Sequence, residues 1–169
     1  HFPLFEYDEE AECWQAMHNI VSHPIDEDLH LFEQGFKTQL PPTDPDHPWR
    51  RTLANQYDLV LNGSELASGG IRINRSGLQK KVLNVLGISD ERAERMFGFL
   101  LKSLEYGAPP HGGIAVGLDR LVAIMCGADS IREVIAFPKT AAASALMEGA
   151  PSEIDQSQLD ELHLKITRD

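Results

Sequence analysis

The chain has 169 residues, 42% apolar and 24% charged, which suits one compact domain and is too short for two typical ones. Its 15 basic against 26 acidic side chains give a net charge of −11, which argues against non-specific phosphate binding by the whole surface and confines any phosphate contact to a small local site. No apolar run nears the roughly 20 residues of a membrane helix, residues 1–10 carry no secretory pattern, and two distant cysteines, Cys13 and Cys126, fit free, buried thiols of a cytoplasmic protein and not a disulfide framework.

The opening segment, 2–8, is aromatic-rich and partly alternating, which predicts a strand, and 13–19 predicts a weaker one. Residues 26–34 suit a short helix. Pro41, Pro42, Pro45 and Pro48 then predict a surface loop as far as Trp49. Another strand is expected over 54–62, with Tyr57, Leu59 and Leu61 on one face, and Asn62-Gly63 signals a hairpin into a strand over 64–74. Helices follow over 78–86 and 90–106. Ser89 is placed to cap the second, and Asp90 and Glu91 complement its dipole. Ala93, Met96, Phe97, Leu100, Leu101 and Leu104 form one apolar stripe on it, read as core. A turn-rich loop over 107–113 leads to a short strand, 114–116, which runs directly into a helix over 118–125 closed by Gly127. A last short strand is expected over 134–137, stopped by Pro138, and a short helix over 158–164. Strands come first and helices later, which predicts an α+β fold with a mostly antiparallel sheet.

Three groups of residues invite chemistry. In Gly112-Gly-Ile-Ala-Val-Gly-Leu-Asp-Arg120, glycines flank a strand that feeds a helix N-terminus, where amide N–H groups and the helix dipole favour an anion. Arg120 falls in the first turn, an unfavourable place for a cation unless an anionic ligand or one of the chain's many carboxylates meets it, and the spacing leaves both open. The run is neither a P-loop nor a dinucleotide-binding GxGxxG. Glu65 and Arg72 flank Ala67-Ser-Gly-Gly70. Seven residues apart, they point to opposite faces of a regular strand. A bulge at Gly69-Gly70 would bring both to one cavity, to hold a metal-bound phosphate and a substrate carboxylate. Two solvated charges on a surface strand explain the same pattern. His18, His23, His47 and His111 match no zinc pattern, and no nucleophile elbow is present.

The stretch from Gly112 to Arg120, continued by Asp129-Ser-Ile-Arg-Glu-Val-Ile-Ala-Phe-Pro-Lys-Thr140, resembles motif 3 of the class II aminoacyl-tRNA synthetases, in the form found in bacterial aspartyl-tRNA synthetases. The resemblance continues through Tyr106-Gly-Ala-Pro-Pro-His-Gly112, Tyr57-Asp-Leu-Val-Leu-Asn-Gly63 and Phe2-Pro-Leu-Phe-Glu6, and reaches Leu159 to Leu164. It implies a single partial catalytic domain over 1–169, the C-terminal half, with motif 3 at about 112–140. It implies that Arg120 holds ATP phosphates, that Gly117, Leu118 and Asp119 line the nucleotide site, and that Glu65 helps to coordinate ATP-bound Mg2+. Arg72 would pair with the side-chain carboxylate of aspartate, and His18 would approach the same amino acid. The implied activity is that of an aspartate–tRNA ligase, with Arg120 and Glu65 as its catalytic residues here and with aspartate, ATP and tRNA as substrates.

The resemblance also implies parts that this chain does not carry: motifs 1 and 2 and an anticodon-binding β-barrel. Contact with tRNA would lie mainly there, a homodimer is expected of the full-length protein, and the isolated chain is expected to be inactive. The chain departs from the family where two adjacent histidines give way to His18-Asn19, where Ile20-Val21 stands for Pro-Phe, and where Ala67 and Ser68 replace part of a glycine run. The alternative is a free-standing synthetase paralogue, a nucleotide- or amino-acid-binding regulatory module without aminoacylation.

Overall fold

Asn62 and Gly63 both take positive φ, 51° and 76°, the geometry of a two-residue type I′ turn. They join β5 (Gln56–Leu61) to β6 (Ser64–Ile71) as the predicted hairpin. β7 (Gly112–Val116) pairs with the other edge of β6, giving a three-stranded antiparallel sheet of order β5-β6-β7. The computed structural model describes residues 2–167, which fall into two compact units, one ending at Gly117 and the other beginning at Leu118. The expected α+β class with antiparallel sheets is what the elements form. Among the described residues, no helix is long and apolar enough to cross a membrane.

In the first unit the opening segment is two strands, not one. β1 (Phe2–Pro3) pairs with β4 (Leu53–Ala54), and β2 (Phe5–Asp8) pairs with β3 (Cys13–Ala16). Leu4 is the joint between them. Its N–H donates to the Thr52 carbonyl at 2.8 Å and its own carbonyl accepts from Met17, while Pro3 has no N–H to continue a ladder. The proline-rich stretch is also shorter than predicted. Pro48 opens α2 (Pro48–Arg51), because a missing N–H is tolerated in the first turn of a helix. Before it, a 3-10 turn (Asp26–Asp28) leads into α1 (Leu29–Gly35), where a single helix was expected.

Phe5, Trp14, Phe32 and Val82 lie in the larger core cluster, with Trp49 packed against it. α3 (Ser76–Val85) links two clusters: Val82 and Val85 enter the first, and Leu83 meets Ala93 and Leu101 of α4 (Asp90–Glu105) in the second. Ser89 caps α4 as expected, its Oγ accepting the Arg92 N–H at 3.3 Å. The apolar stripe of α4 is only partly core. Ala93, Leu101 and Leu104 are buried, but Met96 and Leu100 are exposed, because α3 covers one side of a stripe wider than itself. Cys13 and Cys126 are both exposed, against expectation. Cys13 lies on the outer face of a hairpin whose inner face carries Trp14, and Cys126 is the last residue of its helix.

His47 is buried, with ring centroids 5.0 Å from Trp14 and 5.4 Å from Trp49, and its Nδ1 accepts the Trp49 N–H at 3.2 Å to cap α2. Desolvation first, and the nearby Arg50 charge second, lower its pKa against a smaller raising effect of Asp44. A lowered folded-state pKa favours the neutral ring in the fold. Its contribution to stability is therefore complete above the unfolded value of 6.5 and is lost as pH falls from there toward the folded value. His47→Asn keeps an acceptor for the cap and has no such proton, so the variant loses less Tm than the parent between about pH 7.5 and pH 5.5. An equal loss in both proteins contradicts this reading of His47.

The second unit holds α5 (Leu118–Cys126), a 3-10 turn (Ile131–Glu133) and α6 (Gln156–Glu161), with Ala123, Ala145 and Leu159 buried. Gly127, at φ 65°, ends α5 as expected, and the Ala128 N–H returns to the Ala123 carbonyl at 2.9 Å. The strand expected over 134–137 is absent. Ser130 and Glu133 form a reciprocal capping box that winds the preceding residues into the 3-10 turn, and Phe137 takes φ 54°, which no extended strand accommodates.

Candidate functional site

The register of β5 against β6 decides which side chains share a face. Leu59 pairs with Ala67 but Val60 pairs with Glu65, so Leu66 is an extra residue, a bulge. The bulge lies three residues before the predicted position, and Gly69 and Gly70 stay in regular pairing with both neighbours. Its effect on parity is nevertheless the one anticipated. Cross-strand partners share a face, and the pairs Val60–Glu65, Asp58–Ser68 and Gln56–Gly70 all fall on one side of β5. Arg72 continues that side past the end of β6, bridged antiparallel to Ser22. Glu65 and Arg72 therefore share one sheet face, at its two ends, separated by roughly 20 Å of strand.

The glycines serve close approach. A Cβ on Gly69 would collide with the Gly113 carbonyl and come within 2.8 Å of the Tyr57 ring. That ring crosses Gly69 so that the Tyr57 hydroxyl can donate to the Gly113 carbonyl at 3.0 Å. The opposite face stays clear above Gly113, where a Cβ would meet nothing within 4 Å.

There the first unit opens a cavity of about 490 Å3, within the usual range for a small-molecule site. Its polar lining is Asn19, Ser22, Gln56, Ser68, Arg72 and His111, and the rest is glycine, Ala115 and Ile114. The lining thus contains one guanidinium and no carboxylate, in a chain that carries 11 more acidic than basic groups. Among the described residues Arg72 makes no ion pair. Its backbone N–H donates to the His111 carbonyl at 2.9 Å, which ties the strand end to the loop before β7. A cationic, neutral-walled cavity of this kind selects an anionic ligand.

The other predicted residues fall outside this cavity. Glu65 is exposed at the far end of the face. His18 is exposed and meets the Phe2 ring edge-on at 4.5 Å, and its neighbour Asn19 lines the cavity instead. The Gly117 N–H donates to the Leu66 carbonyl at 2.8 Å, so that amide closes the bulged strand and does not face outward. Leu118, Asp119 and Arg120 form the exposed first turn of α5 in the second unit. Gln56, Ser22 and His111 had no functional signal in the sequence. What marks the first two is a contact between residues 34 apart: the Ser22 Oγ–H donates to Gln56 Oε1 at 3.2 Å in a buried position.

Residues 6–141 match the family model described as tRNA synthetases class II (D, K and N). The chain belongs to the class II tRNA synthetases of this group. Two curated relatives named aspartate–tRNA(Asp/Asn) ligase, from Dictyoglomus turgidum and Caldanaerobacter subterraneus subsp. tengcongensis, are 52% and 51% identical over 165 residues. The match takes in 98% of this chain but 26% of each relative, so the chain spans about a quarter of their length. Among solved structures, the aspartyl tRNA synthetase from Entamoeba histolytica aligns over 76% of this chain and 21% of its own, at 22% identity and a TM-score of 0.54. The asparaginyl-tRNA synthetase of the same organism, in complex with asparaginyl-adenylate, aligns over 76% of this chain and 24% of its own, at 22% identity and a TM-score of 0.53. Both likenesses concern the fold alone, over about three-quarters of this chain.

Proposed function

We propose that this chain is the C-terminal half of the catalytic domain of an aspartate–tRNA ligase and that it supplies aspartate and ATP contacts to a longer enzyme. The observation that carries the reading is Arg72, a guanidinium without an ion pair among the described residues, in a cavity lined by neutral groups. A planar fork of donors suits a carboxylate held bidentately, and neutral walls leave no competing acid. The names of the two close relatives support aspartate as that anion.

In the proposed reaction the aspartate α-carboxylate attacks the α-phosphorus of ATP, giving aspartyl-adenylate and pyrophosphate. The aspartyl group then passes to the 3′ end of tRNA(Asp). No covalent enzyme intermediate is involved, so the work of these residues is positioning and charge neutralisation. Arg72 orients aspartate by its side chain, and Arg120 meets ATP phosphates beside Gly117, Leu118 and Asp119, with His18 near the amino acid. A homodimer, a cytoplasmic location and most of the tRNA contact belong to the proposal for the full-length protein.

Among the described residues no group of three His, Cys, Asp or Glu side chains is built to cage a metal. Mg2+ carried in on ATP needs only one or two protein carboxylates beside the phosphates. Glu65 would be such a carboxylate, and when bound the ion neutralises phosphate charge. Replacing it in the full-length protein tests this division of labour along the sheet face. Glu65→Gln raises the Mg2+ required for half-maximal ATP–pyrophosphate exchange by about tenfold, the effect of one lost charged contact, and leaves the KM for aspartate unchanged. Unaltered exchange at every Mg2+ concentration sinks the assignment of Glu65.

A further inference from the structure

Gln56 is a buried polar side chain on the cavity face, and its position is set from two directions. It pairs with Gly70 across β5 and β6, where a Cβ on Gly70 would stand 3.0 Å from the Asn55 carbonyl oxygen and 3.7 Å from the Gln56 Cβ. From the side, Ser22 fixes its acceptor end through the 3.2 Å hydrogen bond to Oε1. Ser22 in turn is the antiparallel partner of Arg72. Ser22, Gln56 and Arg72 thus form one group on one face, with the amide diagonal to the guanidinium.

With Oε1 held by Ser22, the free end of the amide is Nε2, which carries two N–H donors. Among the described residues no protein acceptor meets Nε2, and it is not one of the buried polar atoms sealed from contact. Both features place donors without a protein partner at the wall of a cavity whose lining holds one guanidinium and no carboxylate.

We propose that Gln56 is a specificity-determining residue, tethered by Ser22 so that its amide N–H donates to the substrate carboxylate that Arg72 holds. The inference rests on the aspartate reading of the cavity and extends it. Two donor groups, one charged and one neutral, demand an acceptor at every atom of the substrate's side-chain end. A carboxylate meets that demand with both oxygens. The amide of asparagine cannot, because its NH2 would face a donor and leave a buried group unpaired.

The test is aspartate-dependent ATP–pyrophosphate exchange by the full-length protein, with KM for aspartate and for ATP measured separately. Gln56→Ala raises the aspartate KM about tenfold, the value of one hydrogen bond to a charged group. Gln56→Glu is the sharper variant. It is isosteric and still accepts from Ser22, but it replaces two donors by a negative charge facing the substrate carboxylate. It raises the aspartate KM about thirtyfold or more, beyond the alanine variant, with the ATP KM unchanged. Ser22→Ala shifts the aspartate KM in the same direction by a smaller factor. A purely packing role for Gln56 predicts the reverse order, with the isosteric Gln56→Glu milder than Gln56→Ala, and that order overturns the proposal. So does an ATP KM that rises in step with the aspartate KM. An Arg72→Ala control separates the two readings. If it raises the aspartate KM and Gln56→Glu does not, only the role of Gln56 is lost; if neither does, the aspartate reading of the cavity fails with it.

Discussion

Arg72→Ala in the full-length protein raises the KM for aspartate by about two to three orders of magnitude, the cost of leaving a carboxylate unpaired in a confined site, and changes the KM for ATP little. The expectation follows from the composition of the cavity wall. With no lysine and no second arginine in the lining, nothing substitutes for the guanidinium when it is removed. Arg72 is also held in place by main-chain bonds on two sides, to His111 and through the bridge to Ser22, so its truncation removes a donor without loosening the strand end. Arg72→Lys keeps the charge but presents a point donor in place of a planar fork, and it recovers only part of the loss. Steady-state exchange at varied aspartate measures both. An aspartate KM within threefold of the parent for Arg72→Ala would remove aspartate from this cavity.

The second large effect is expected at Arg120. Arg120→Ala lowers kcat for ATP–pyrophosphate exchange by about 100- to 1,000-fold, the range for removing one preorganised group that meets developing charge. A chain with a net charge of −11 repels ATP unless a cation is set locally against its phosphates. Arg120 stands in the first turn of α5, where the helix dipole disfavours a cation in the absence of an anion. Because the guanidinium is exposed, the exchange rate should also fall with rising ionic strength in the parent and less so in the variant. A variant with parental kcat and parental salt dependence would assign Arg120 to the surface.

The elements that could be read from the sequence are those fixed by neighbours in the chain. Ser89 caps α4 through an N–H three residues on, and Asn62-Gly63 needs only its own two φ angles. The bulge was misplaced because the glycines suggested conformational freedom, whereas Gly69 is required for close approach to Gly113 and the Tyr57 ring. Leu66 bulges so that it and Ala67, adjacent in sequence, are both buried, which no two-residue alternation predicts. The strand expected over 134–137 had the right apolar run, but a capping box one turn earlier set a different path. The placement of Glu65 at one end of the sheet face and Arg72 at the other could not be read from spacing, because it depends on the bulge at Leu66. Gln56 was invisible for a related reason: its meaning lies in Ser22 and Gly70, which only the register of two strands brings beside it.

The most direct test of the aspartate reading is amino-acid-dependent ATP–pyrophosphate exchange by the full-length protein, with aspartate, asparagine and lysine offered separately. These are the three amino acids of the synthetase group to which the chain belongs. A cavity lined by the Arg72 guanidinium and no carboxylate predicts exchange with aspartate, and background rates with asparagine and lysine. Exchange supported by lysine, or by asparagine as fast as by aspartate, would contradict it.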